Sequence, residues 1–148
     1  MTAVLLLLSS TAYAAPAKSE KQAKSAVQFR QALLQLVRSN VGPLGAMAKG
    51  KIPMDTAKME TNAMRLEQLS LMMNDYFTVD TRNFKVGTDA LPAVWEDEAD
   101  FSAKIVALTE ASRALGIAAK RGDESSYKKR IGAVLKSCKG CHDVYKAD

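Results

Sequence analysis

Cysteine and histidine are almost absent from this chain: its 148 residues hold two of the first and one of the second. A disulfide framework of the small secreted kind needs more thiols than that, and a zinc site wants four Cys, His or carboxylate ligands, usually in paired clusters. Aromatic residues amount to 6%, and no basic block is interleaved with them, so nothing points to nucleic-acid binding. There is no Asn-Gly pair and no period-two alternation, which argues against hairpins and sheets. No segment approaches the roughly 20 apolar residues of a membrane span. No nucleophile–base pair and no paired carboxylates converge, so the chain does not read as a hydrolase or transferase, nor as an enzyme at all. The net charge of +5 can steer acidic partners or anionic membranes only weakly.

What is present begins with an uncharged N-terminus. Ala3-Val4-Leu5-Leu6-Leu7-Leu8 is apolar, and Ala12-Tyr13-Ala14 fits the small-x-small pattern of a signal-peptidase site. Residues 1–14 are expected to be a cleaved export signal and 15–148 a single mature domain, although no basic residue precedes the short apolar run. The competing reading is a frayed N-terminal helix.

The mature chain reads as four helical stretches. The first is expected from about Ser19 to Lys49, with Val27, Leu34, Val37, Val41 and Leu44 as its apolar stripe and a kink or break near Val41 caused by Pro43. The second runs from an Asp55 cap to Phe77, with Ala63, Leu66, Leu69, Met73 and Phe77 inside and Met59, Met64 and Met72 off the stripe. Residues 78–91 form a connection long enough to cover something. The third helix is expected from Pro92 to Lys120, its acidic first turns complementing the dipole, with Phe101, Ile105, Leu108, Ser112, Leu115 and Ala119 inside and Gly122 as its cap. The fourth runs from about Asp123 to Lys146, with Tyr127, Ile131, Val134, Cys138, Cys141 and Tyr145 stepping along one face. The expected fold is all-α, an antiparallel up-down-up-down four-helix bundle.

All the cysteine and histidine of the chain fall in Cys138-Lys139-Gly140-Cys141-His142. C-x-x-C-H is the attachment signature of a c-type haem: two thiols add to the two vinyl groups, and the histidine sits under the iron. A thioredoxin-like redox pair wants a βαβ setting that is missing here, and a lone structural disulfide or zinc site explains the histidine less well. Attachment of this kind takes place outside the bacterial inner membrane, in agreement with export. With His142 as one axial ligand, no second histidine exists, and helix one faces the haem with Leu33 and Leu34 and no methionine before Met47. Aliphatic groups cannot ligate iron, so a five-coordinate iron with an apolar distal face is expected. Such a face lacks the hydrogen-bond donor that bound dioxygen wants, and neutral diatomics depend on one less.

The chain resembles the cytochrome c′ family over essentially its mature length. The resemblance rests on C-K-G-C-H near the C-terminus, Phe29-Arg30-Gln31-Ala32-Leu33-Leu34 on helix one, and Ala90-Leu91-Pro92-Ala93-Val94-Trp95 before helix three. It implies a periplasmic, high-spin haem c protein that binds nitric oxide and carbon monoxide, a homodimer packed through helices one and two, and possible redox partner proteins. Carried over, Cys138 and Cys141 are the thioether links, His142 the proximal ligand, Arg30 and Gln31 neighbours of the propionates, and Leu34 the distal gate. Phe77 packs distally, and Thr88 and Asp89 lie near the haem rim. Where many members carry arginine four residues after the histidine, this chain has Lys146. Its spacing would keep it on the face of His142, though it lacks the planar fork of arginine. The alternative is a low-spin electron carrier with a methionine as sixth ligand.

Overall fold

The computed structural model describes residues 14–147, so most of the expected export signal lies outside the described residues. Helix α1 spans Glu20–Ala48 and opens on Ser19, whose hydroxyl accepts the Gln22 N–H at 3.2 Å. It runs through Pro43 as one continuous helix, so of the expected kink or break near Val41 the break does not occur. Proline leaves the Ser39 carbonyl without its helical donor, but Ser39 is exposed and water can serve instead. Helix α2, Thr56–Phe77, opens on Asp55, whose carboxylate accepts the Lys58 N–H at 2.9 Å.

The third helix is two. A single turn, α3 (Ala93–Glu96), stops at Asp97, and α4 (Glu98–Arg121) starts there. Asp97 leaves helical geometry (φ −134°, ψ 68°) and accepts the Asp100 N–H at 3.1 Å. An aspartate that can cap competes with its own place in a helix interior, and here the cap wins. Gly122, at φ 66°, closes α4 in the left-handed conformation that glycine adopts without a Cβ penalty. A 3₁₀ turn at Glu124–Ser126 leads into α5, Tyr127–Tyr145. A pair of two-residue parallel strands, β1 (Ala15–Pro16) and β2 (Val79–Asp80), straps the N-terminus to the connection after α2. No sequence pattern announces strands that short.

The bundle order follows from cross-helix pairs. Ser102 reaches Asn74, Thr109 reaches Ser70, Arg113 reaches Glu67, and Gly116 lies against Ala63, so α2 and α4 run antiparallel. Phe29 of α1 faces Tyr76 near the end of α2, and Gly45 of α1 approaches Leu135 of α5. The result is an up-down-up-down four-helix bundle with α3 as an added turn.

Its core is mostly where the stripes placed it: Leu44, Leu66, Leu115, Ile131 and Val134 are fully buried. Each stabilises the fold by about 1.5–3 kcal/mol through removal from water. Three expectations are corrected. Met59 is buried rather than off the stripe, because it precedes Ala63 by four residues and so shares its helix face. Leu33, not Leu34, belongs to the core, and Leu34 stays 41% exposed at a cavity edge. Val41 is only half-buried, because the inward stripe of α1 passes through Asn40 and Leu44 instead.

Candidate haem site

Helix α5 carries the C-x-x-C-H run on its last two turns. Cys138 and Cys141 are half-buried free thiols that pack against the core, and His142 stands at the surface beside them. Burial pushes both thiols above their ordinary range, and for Cys141 the Cys138 thiol and the Asp100 charge add to it while Lys104 opposes. Neither ring nitrogen of His142 is hydrogen-bonded to another described residue.

Cys141 and His142 border a cavity of about 150 Å³. Val27, Arg30, Gln31 and Leu34 line it from α1, Met73 and Phe77 from α2, and Phe101 from α4. Thr88, Asp89, Ala90 and Val94 line it from the connection and α3, and Cys141, His142, Tyr145 and Lys146 from α5 and its end. The structure thus gathers Arg30, Gln31, Leu34, Phe77, Thr88, Asp89, Cys141, His142 and Lys146 around one space. Cys138 does not reach its lining and sits one turn earlier on α5. Val27, Met73, Phe101 and Tyr145 were legible only as core positions. Their helical spacing marked them as inward-facing but not as facing a cavity.

The donor set suits a c-type haem. The Cys141 thiol and an imidazole without a hydrogen-bond partner among the described residues line a largely apolar space, and the second free thiol, Cys138, lies one turn earlier on the same helix.

Arg30 is not the solvated helix residue its type suggests. It is 2% exposed, and its guanidinium lies 5.0 Å from the Phe77 ring centroid and 5.1 Å from that of Trp95. Its Nε donates to the Tyr76 carbonyl at 2.7 Å, Nη1 to Thr81 Oγ1 at 3.2 Å, and Nη2 to the Val79 carbonyl. Burial lowers its pKa to about 10, opposed by the Asp80 charge, so it stays cationic at neutral pH. Three of its five N–H groups are therefore committed to the turn after α2, which leaves two for any propionate. Gln31 donates to the Gly87 carbonyl at 3.2 Å and ties α1 to the long connection. Trp95 donates its indole N–H to the Phe77 carbonyl at 3.0 Å, which makes it a packing anchor.

Lys146 departs from its expected placement. Helix α5 ends at Tyr145, and Lys146 is extended (φ −120°, ψ 132°), so a spacing of four no longer stacks it over His142. The C-terminal segment pairs with the connection instead: the Leu91 N–H donates to the Tyr145 carbonyl at 3.0 Å, and the Ala147 N–H to the Asp89 carbonyl at 2.8 Å. Lys146 still lines the cavity rim, with its Nζ on the Ala147 carbonyl. Tyr145 is buried, and its hydroxyl donates to Asp100 Oδ2 at 2.6 Å.

Among known proteins, the family profile described as Cytochrome C′ matches residues 25–146. A cytochrome c′ of Rubrivivax gelatinosus is 36% identical over 82% of this chain and 93% of its own length. The solved cytochrome c prime from Shewanella frigidimarina is 39% identical and superposes with a TM-score of 0.78, covering 88% of this chain and all of its own. A nitric oxide complex of a leucine-to-alanine variant of cytochrome c prime from Alcaligenes xylosoxidans is 32% identical, with a TM-score of 0.72, and covers 85% of this chain and 97% of its own.

Proposed function

Because this chain belongs to the cytochrome c′ family and so is a haem c protein, we propose that it is a periplasmic nitric oxide binder that sequesters the gas. Cys138 and Cys141 are the attachment points and His142 the single protein ligand. A c-type haem held there supplies an iron centre that can take a diatomic gas or exchange one electron. The chain's own residues decide between those outcomes. The observation that carries the gas-binding reading is Leu34, which lines the same cavity as His142 from the opposite helix and brings a side chain that cannot ligate. Phe77 and Phe101, with ring centroids 4.8 Å apart, keep that side apolar and exclude water. The nitric oxide complex of a leucine-to-alanine variant of a relative with the same fold supports the reading.

Residues 1–14 act as the export signal, and the mature domain begins at Ala15. Two copies pair through α1 and α2, where Phe29, Leu36, Met64 and Leu71 are each more than half exposed on the outer faces.

A second reading has a specific observation behind it. Met73 of α2 lines the cavity, so a thioether does reach the site, from α2 rather than α1. A low-spin electron carrier would use it.

One titration separates the two. The reduced holoprotein is expected to show a high-spin absorption spectrum that shifts on adding carbon monoxide, and Leu34→Ala to bind the gas at least about tenfold more tightly. A split low-spin spectrum that ignores the gas in the parent, and becomes high-spin in Met73→Leu, would replace the gas binder with the electron carrier.

A further inference from the structure

The two ends of the bundle differ in charge. The α1–α2 turn and the start of α5 lie at the end away from the C-x-x-C-H run, because α2 and α4 are antiparallel and α5 returns from there. Lys49, Lys51 and Lys58 stand on or beside the first turn, and Lys120 and Arg121 end α4. Lys128, Lys129 and Arg130 open α5. All eight are exposed, and none forms an ion pair among the described residues. At the other end, Lys24, Arg82, Lys104 and Lys139 each hold a carboxylate, while Lys18, Lys21 and Lys85 are exposed without an ion pair among the described residues.

Four carboxylates share the basic end, and two are already engaged. Asp55 caps α2. Asp123 accepts the Ser125 hydroxyl at 2.8 Å, and its carboxyl is held below the usual range by hydrogen bonds from Ser125 and Ser126, with the Arg130 charge adding to them. Glu60 and Glu124 leave most of the positive charge uncompensated. Between the lysines the turn projects Ile52 and Met54, 37% and 38% exposed, on a backbone reversed by Gly50 at φ 67°. A repellent solvated cap has no use for two apolar side chains at its tip. Cations flanking a short apolar projection are what an anionic lipid surface takes up, with the ammonium groups at the headgroups and the apolar tip just below.

We propose that this end is a docking surface for anionic phospholipid membranes. Held there, the mature protein lies on the bilayer with its haem site facing away, open to gas and to soluble partners. The contact is reversible and salt-sensitive, since the apolar tip is too small to anchor alone.

The test is co-sedimentation of the haem-loaded mature protein with vesicles of three parts phosphatidylethanolamine to one part phosphatidylglycerol, at low and high salt. Binding at low salt that is lost at high salt, and is absent on pure phosphatidylcholine vesicles, is expected. The triple variant Lys128→Gln, Lys129→Gln, Arg130→Gln should weaken it by about tenfold or more. The control triple Lys18→Gln, Lys21→Gln, Lys85→Gln removes the same charge from elsewhere and should leave binding nearly unchanged. Ile52→Ser with Met54→Ser should make the remaining binding more salt-sensitive. The proposal is overturned by no sedimentation at low salt, by equal loss in both triples, or by capture on immobilised polyglutamate with none on the vesicles. The last result would make the partner an acidic protein.

Discussion

The two long walls of the cavity are built on different principles. On α5 the chemistry is compressed into five consecutive residues, and the helical repeat alone puts Cys138, Cys141 and His142 along one edge. On α1 the residues that matter are ordinary in type, an arginine, a glutamine and a leucine, and they acquire a role only from what packs against them. Arg30 is committed to the turn after α2, Gln31 to the long connection, and Leu34 to the cavity. Chemistry that must act through neighbouring atoms is written locally. The shape that limits access to it is assembled from four helices and a loop.

Breaking the α5 wall should have the largest effect. Cys138→Ser with Cys141→Ser removes both thioether points and is expected to abolish covalent haem, read as loss of the haem mass increment on the denatured protein. His142→Ala should keep that increment while changing the absorption spectrum. If the increment persisted in the double cysteine variant, the assignment of α5 as the attachment wall would fail.

Breaking the α1 wall should cost stability rather than attachment. Arg30→Met leaves the Tyr76 and Val79 carbonyls and the buried Thr81 hydroxyl short of a donor. A destabilisation of about 3 kcal/mol is expected in denaturant unfolding, and Arg30→Lys should recover little, because an ammonium cannot span the three acceptors. An unchanged midpoint would mean that the guanidinium is dispensable to the turn after α2.

The smallest effect sharpens the junction between the walls. Burial, with the Asp100 hydrogen bond and charge next, pushes the Tyr145 phenol well above its ordinary 10.0. A raised folded-state pKa contributes stability that is complete below the unfolded value and fades as pH rises past it. The parent should therefore lose stability above about pH 10 more steeply than Tyr145→Phe, and the variant should be about 1.5 kcal/mol weaker at neutral pH. Parallel alkaline limbs in the two proteins would show that the phenol does not titrate with unfolding.

The four helices, their caps at Asp55 and Gly122, and the inner faces of α4 and α5 were legible because each rests on periodicity or on a backbone rule within one turn. The split at Asp97 was less so. The acidic run read as dipole compensation, and only the geometry of the cap showed that one of its members had left the helix. The end of α5 fell within a residue of its expected place, but the extended backbone of Lys146, paired through residues 146–147 with 89–91, takes its side chain off the His142 face.

By itself, then, the sequence determined the helical class, the order of the bundle and the edge that presents two thiols and an imidazole, since periodicity and a five-residue motif are local properties of the chain. Only the tertiary structure decided that Leu33 rather than Leu34 joins the core, that Met73 reaches the cavity, and that Arg30 is a buried clamp. Those outcomes depend on which neighbour a side chain meets across the bundle, and a helix rotated by a fraction of a turn would exchange Leu33 for Leu34 without changing a residue.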